Sequence, residues 1–248
     1  MDPKVQMIRR INKSIVHEDG TIDSFEKQLS NLKAGTFDVS TPLVISPDSS
    51  CLEYFLSNTA NKPLTIRVST VFKIRNKHKV DFVFIAQCLD FLRGSVLAFE
   101  SLQKSTSKVI VMDVCNKDGD PYIAICRLDR RMNMIDVNEI TSIYDKQNFE
   151  QFLTRTFDAD KIFYKNRKIE QYIKSHRLQL PKEMIYALSD NYSKLEFSKS
   201  QVMAHLKSHS TSLHTPKASL ETQIRLADSK SASHKKYRPN QSKTERER

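Results

Sequence analysis

The sequence predicts an α+β fold: N-terminal helices packed on a roughly four-stranded antiparallel sheet, followed by a disordered basic C-terminal tail. Three observations carry that expectation. Helical spacing of apolar residues is concentrated before residue 93, four strand-like runs follow between residues 95 and 144, and Ser, Lys, His and Gln dominate after Ser193. The implied organisation is a helical segment over 1–35, an α+β domain over 36–192 and a tail over 193–248.

The first element is the amphipathic stretch Val5 to Ile11, which ends before Gly20. A second helix is signalled by Asp23 or Ser24 as N-cap, by Phe25, Leu29 and Leu32 at helical spacing, and by Gly35 as its stop. From Thr36 the pattern shifts to short apolar runs. Leu43-Val44-Ile45 is one, a helix is expected from Ser49 to Ser57, and Leu64 to Val68 reads as a strand with Pro63 at its start, where a strand tolerates proline. A Lys-rich helical turn over Val71 to His78 and an apolar helix over Asp81 to Leu92 complete this half.

The four strands expected to form the sheet are Ser95–Phe99, Lys108–Val114, Tyr122–Leu128 and Met134–Tyr144. Asp118-Gly119 between the second and third is a strong hairpin signal. Beyond them, Asn148 to Thr154 and Asn166 to His176 read as helices, Ile162-Phe163-Tyr164 as a short edge strand, and Pro181 as the start of a last helical piece. The tail has too little apolar material to bury, although weak helical spacing recurs over Val202–Leu206 and Leu220–Leu226.

Charge sharpens this division. The chain carries a formal +11, but residues 199–248 hold 11 Lys/Arg against 4 Asp/Glu, leaving the rest near neutral. An acidic partner such as RNA must therefore be met in the body by local cationic clusters. No apolar run is long enough to span a membrane, and the N-terminus lacks the basic-then-apolar order of a secretory signal. The four cysteines show no CxxC spacing and read as buried thiols suited to a reducing, cytoplasmic compartment.

Four glycines leave no room for GxGxxG or a P-loop, and HExxH and GxSxG are also missing. Asn116 to Asp120 lacks the spacing and terminal Glu of a calcium loop, so no metal and no cofactor are expected. His205, His209 and His214 are read as solvated tail residues.

What remains is Lys73-Ile74-Arg75-Asn76-Lys77-His78-Lys79, where the body's one histidine inside a cationic cluster adjoins apolar sequence. Nearby cations lower an imidazole pKa, which makes a neutral base available near pH 7, and they attract phosphate. A solvated cationic helix end is the competing reading. A second patch is Asn138 to Tyr144: if Ile140 and Ile143 mark a buried side, across a bulge, then Asn138, Ser142 and Tyr144 line the other and donate to a phosphate oxygen. An ordinary amphipathic strand explains it equally simply. Arg127, Arg130 and Arg131 offer a phosphate clamp, or a solvated turn.

Taken in order, Lys73 to His78, the apolar helix, the strand from Val96, the Asp118-Gly119 hairpin, Asn138 to Lys146, Lys161 to Asn166 and Leu180 to Glu183 resemble the phage MuF C-terminal type of domain. That type is assigned to the barnase/EndoU/colicin/RelE-like nuclease superfamily, and the resemblance spans roughly residues 40–185. It implies a small metal-independent, toxin-like endoribonuclease of a phage or other mobile element, with His78 as acid or base, Lys73 or Arg127 steadying charge, and Ser142 and Tyr144 positioning phosphate. Lys77, Lys79, Arg127, Arg130, Arg131 and Asn138 would then touch nucleic acid, and a protein inhibitor or immunity partner becomes possible. Two other classes stay open: a non-catalytic nucleic-acid- or protein-binding accessory module, and an effector delivered to another cell by a C-terminal export signal.

Overall fold

The computed structural model describes residues 2–55 and 60–212. Helix α1 (Pro3–Ile11) starts with proline at its first position, and Asp2 caps it by accepting from the Lys4 N–H. Ser24 caps α2 (Phe25–Lys33) in the same way through the Lys27 N–H, and Gly35 follows at φ 76, the left-handed geometry that ends a helix. Next come β1 (Leu43–Ser46), a single 3-10 turn at Ser50–Leu52, β2 (Leu64–Ile66) and α3 (Val68–His78).

The span Asp81–Leu92, expected as one helix, is two: α4 (Phe82–Ala86) and α5 (Cys88–Arg93), with a break at Gln87. Strands β3 (Leu97–Glu100), β4 (Ser107–Cys115), β5 (Pro121–Met132) and β6 (Ile135–Asp145) then run as an antiparallel meander. Gly119, at φ 87, closes the β4–β5 turn. The chain continues through α6 (Phe149–Asp158), β7 (Phe163–Lys165), α7 (Ile169–Ser175), α8 (Lys182–Leu188), β8 (Glu196–Phe197) and α9 (Lys199–Ser212).

The sheet is not the four-stranded antiparallel one the sequence suggested. It has eight strands in the order β1-β2-β6-β5-β4-β3-β7-β8 and is mixed, because β2 runs parallel to β6 through Leu64↔Asn138 and Ile66↔Ile140. The meander is its centre, and strands of two to four residues extend it on both sides. These additions escape a local reading for a physical reason. Parallel pairing is closed by a long crossover and leaves no turn signature, β1 and β2 are almost wholly buried and show no alternation, and β7 and β8 have only three and two residues in which to show one. The Ile162–Tyr164 run is likewise not an edge, since β7 lies between β3 and β8.

Helices cover both faces. Ile8, Ile11, Leu29, Leu32, Ile85 and Leu92 share a core with Ala98, Ile110, Ala124, Cys126 and Ile143. On the other face Phe99 meets Phe152 of α6 and Phe163 of β7, and Phe163 stacks on Phe197 of β8 at 5.5 Å. That stacking, with the burial of Val202, extends order beyond Ser193 into β8 and the start of α9. Met1–Val202 is one compact unit; of the second, Met203–Arg248, residues through 212 are described, and His214 and Leu220–Leu226 lie outside them. Gln28 seals one edge: its amide donates to the Val44 carbonyl and accepts from the Val44 N–H, standing in for a strand beside β1.

Candidate nucleic-acid site on the β5–β6 hairpin

The site begins with a register fault. Ile125 faces Ser142 and Cys126 faces Ile140, so Thr141 is an extra residue in β6. Because side chains alternate along a strand, the bulge reverses the phase. Ile140 and Ile143 therefore both lie in the core, while Ser142 and Tyr144 join Ile125 on the opposite face.

Helix α3 supplies the other wall. The pairing of β2 with β6 ends at Ile66↔Ile140, and the chain turns at once into α3, which runs beside the second half of β6. Val68, Val71 and Ile74 anchor it in the core, and the Lys73 ammonium donates to the Thr141 carbonyl at 3.1 Å. Its last residue is His78. Lys79 stops the helix in the left-handed conformation at φ 57, and its N–H bonds the Ile74 carbonyl.

His78 lies over Tyr144, ring centroids 5.0 Å apart and planes 25° from parallel, and its Nε2 is 3.4 Å from the Ser142 hydroxyl. These groups, with Lys73, Lys77, Ser101, Gln103, Lys104, Ser107, Arg127 and Thr141, line an open pocket of about 460 Å³. Burial lowers the His78 pKa from its ordinary value, and the ammonium groups of Lys73 and Lys77 push it the same way against the Asp145 carboxylate. Burial raises the Tyr144 pKa, which keeps the phenol protonated as a donor. Among the described residues, Lys73, Lys77, Lys104 and Arg127 have no carboxylate within ion-pair distance, and no carboxylate lines the pocket.

The fold thus brings together His78, Lys73, Ser142, Tyr144, Lys77 and Arg127. It separates the rest. Lys79 is an exposed helix cap away from the lining. Asn138 lies on the buried side of the bulge and donates to the Ser49 hydroxyl at 2.9 Å. Arg130 is held by Glu139, a carboxylate only 2% exposed that also takes Arg67 at 2.8 Å; the 2.7 Å Arg130 contact is an ion pair without hydrogen-bond alignment. Arg131 pairs with Asp136 on the hairpin surface. Ser101, Gln103, Lys104 and Ser107 join the pocket with no motif to mark them. Their one sequence signal is a polar Ser101–Ser107 stretch between two apolar strands.

Among the described residues no group of three or more His, Cys, Asp or Glu side chains converges as a metal ligand set, and no helix is long and apolar enough to cross a membrane. Residues 71–171 match the phage MuF C-terminal domain, a span that opens inside α3 and contains every residue of the pocket. No curated protein and no solved structure matches the chain.

Proposed function

We propose that this phage MuF-like domain is a metal-independent endoribonuclease whose reaction centre is the His78 pocket. The observation that carries the reading is an imidazole biased toward its neutral form in a pocket lined by four cations, none of them ion-paired to a carboxylate among the described residues. A neutral imidazole is a base, and unmatched cations call for an anion. Because the lining residues include no carboxylate, and the Ser142 hydroxyl 3.4 Å from His78 lacks the third group that orients the base in a nucleophilic triad, the nucleophile is taken from the substrate. The 2′-OH of RNA is such a group, and DNA lacks it.

His78 takes the 2′-OH proton, O2′ bonds to the adjacent phosphorus, and the P–O5′ bond breaks to leave a 2′,3′-cyclic phosphate. Lys73, Lys77 and Arg127 balance the charge that grows on the phosphorane, and Ser142 and Tyr144 hold a non-bridging oxygen by donated hydrogen bonds. No second imidazole lines the pocket, so the leaving O5′ takes its proton from a lysine ammonium there.

Expression of the wild type beside His78→Ala in one bacterial host, with growth and RNA integrity followed, tests the reading. Growth arrest and RNA fragmentation in the wild type, both relieved by the substitution, are expected. Intact RNA in arrested cells, or equal fragmentation by both proteins, would remove the nuclease assignment.

A further inference from the structure

The His78 pocket does not end at Arg127. Strand β4 begins at Ser107, opposite Arg127, whereas β5 continues to Met132, so the β5–β6 hairpin overhangs its neighbour by several residues. A second hollow of about 610 Å³ fills the angle this leaves. Ser105, Thr106, Lys108, Arg127, Arg130 and Arg131 line it together with Leu128 and Asp129. The two hollows share Arg127, and they share one loop: Lys104 and Ser107 face the first, Ser105 and Thr106 the second. The Thr106 carbonyl accepts from the Leu128 N–H, which ties that loop to the overhang.

Charge is graded along this path. Beside His78 the described cations are without ion pairs, whereas around the second hollow Arg130 has Glu139 and Arg131 has Asp136 on the overhang, and Lys108 of β4 has Glu100. Asp129, the one carboxylate in the second lining, is taken by Lys62. Cations held in place by such pairs keep a fixed orientation, and Arg131, two-thirds exposed, still presents its guanidinium to solvent. Joined at Arg127, the two hollows make one path whose cations a chain of phosphates would meet in turn.

We infer that the second hollow is a subsite for flanking nucleotides, so that the protein binds single-stranded RNA over several nucleotides, running from His78 across Arg127 along the β5 overhang. This rests on the nuclease reading for the identity of the polymer, but it is a statement about binding and is measured without cleavage. Backbone neutralisation along a groove gives sequence-tolerant, salt-sensitive affinity.

The test uses the full chain carrying His78→Ala, with fluorescence anisotropy of a labelled 12-nucleotide single-stranded RNA and of a trinucleotide. Adding Arg131→Gln should weaken the 12-mer several-fold and lower its log–log salt slope by about 0.7, while the trinucleotide is unmoved. Adding Asp136→Asn instead breaks the same ion pair and should tighten the 12-mer. Equal losses for both lengths, no loss for either, or weakening by both substitutions would overturn the subsite, the last by showing that hairpin damage is responsible. If the wild type leaves the 12-mer uncut while these binding changes occur, the nuclease reading fails and the groove stands.

Discussion

The two halves of β6 are neighbours in sequence and opposites in electrostatics. Along Asn138–Ile140 the strand is paired on both sides, and its buried polar groups are answered: Asn138 by Ser49, Glu139 by Arg67 and Arg130. Along Thr141–Asp145 β2 has ended, α3 takes its place, and Lys73, Lys77, Lys104 and Arg127 gather around a half-buried imidazole, none of them ion-paired among the described residues. Burying an unpaired polar or charged group is costly, so matched groups belong to the architecture. The unpaired cations stay wet at a pocket mouth, where the phosphate of the proposed substrate would meet them. One inserted residue, Thr141, separates the two regimes.

Substitutions on either side of the bulge should therefore behave differently. The largest effect is expected from His78→Ala, which should lower kcat for RNA cleavage by a factor of about 10² to 10⁴ and leave the thermal transition unchanged; a kcat within threefold of wild type would place the chemistry elsewhere. Glu139→Ala removes a buried carboxylate and leaves Arg130, 27% exposed, without its partner; it should cost about 3 kcal/mol, at the low end for a broken buried pair because Arg67 and Arg130 both reach solvent. Calorimetry should show a drop in Tm of roughly 6 to 12 °C, with the kcat of the folded fraction retained. Asn138→Ala, on the same side, should cost about 1 to 3 kcal/mol by orphaning its partners without altering KM. A tenfold rise in KM there would mean that Asn138 touches substrate after all.

The smallest effect tests electrostatics alone. Burial, and after it Lys73 and Lys77, disfavours the imidazolium, so folding lowers the His78 pKa and the base is available at lower pH than an ordinary histidine would be. Removing a cation reverses part of this. Lys77→Gln should move the ascending limb of the kcat/KM–pH profile to higher pH and raise KM a few-fold; a shift to lower pH would show that a different group titrates.

The α3 cluster was legible because lysines flanking a histidine at a helix end are local in sequence, and the hairpin was legible because Asp118-Gly119 is a local turn. Ser142 and Tyr144 followed from reading a bulge between Ile140 and Ile143. Asn138 went astray for the same reason, since a bulge at Thr141 puts residues of equal parity on opposite faces. The parallel pairing of β2 with β6 joins positions more than 70 residues apart, and nothing in either three-residue window announces it. Lys104 and Gln103 sit in a loop whose composition marks only a connection, and their role comes from where β4 begins.

The most direct measurement uses purified protein in EDTA with two single-stranded RNAs of one sequence, fully ribose in one and 2′-deoxy at the nucleotide 5′ of the cut in the other. Cleavage of the first to a 2′,3′-cyclic phosphate and a 5′-hydroxyl is expected, with no cleavage of the second at that position. Cutting of the deoxy strand at the same bond, or 3′-hydroxyl ends, would contradict attack by the 2′-OH.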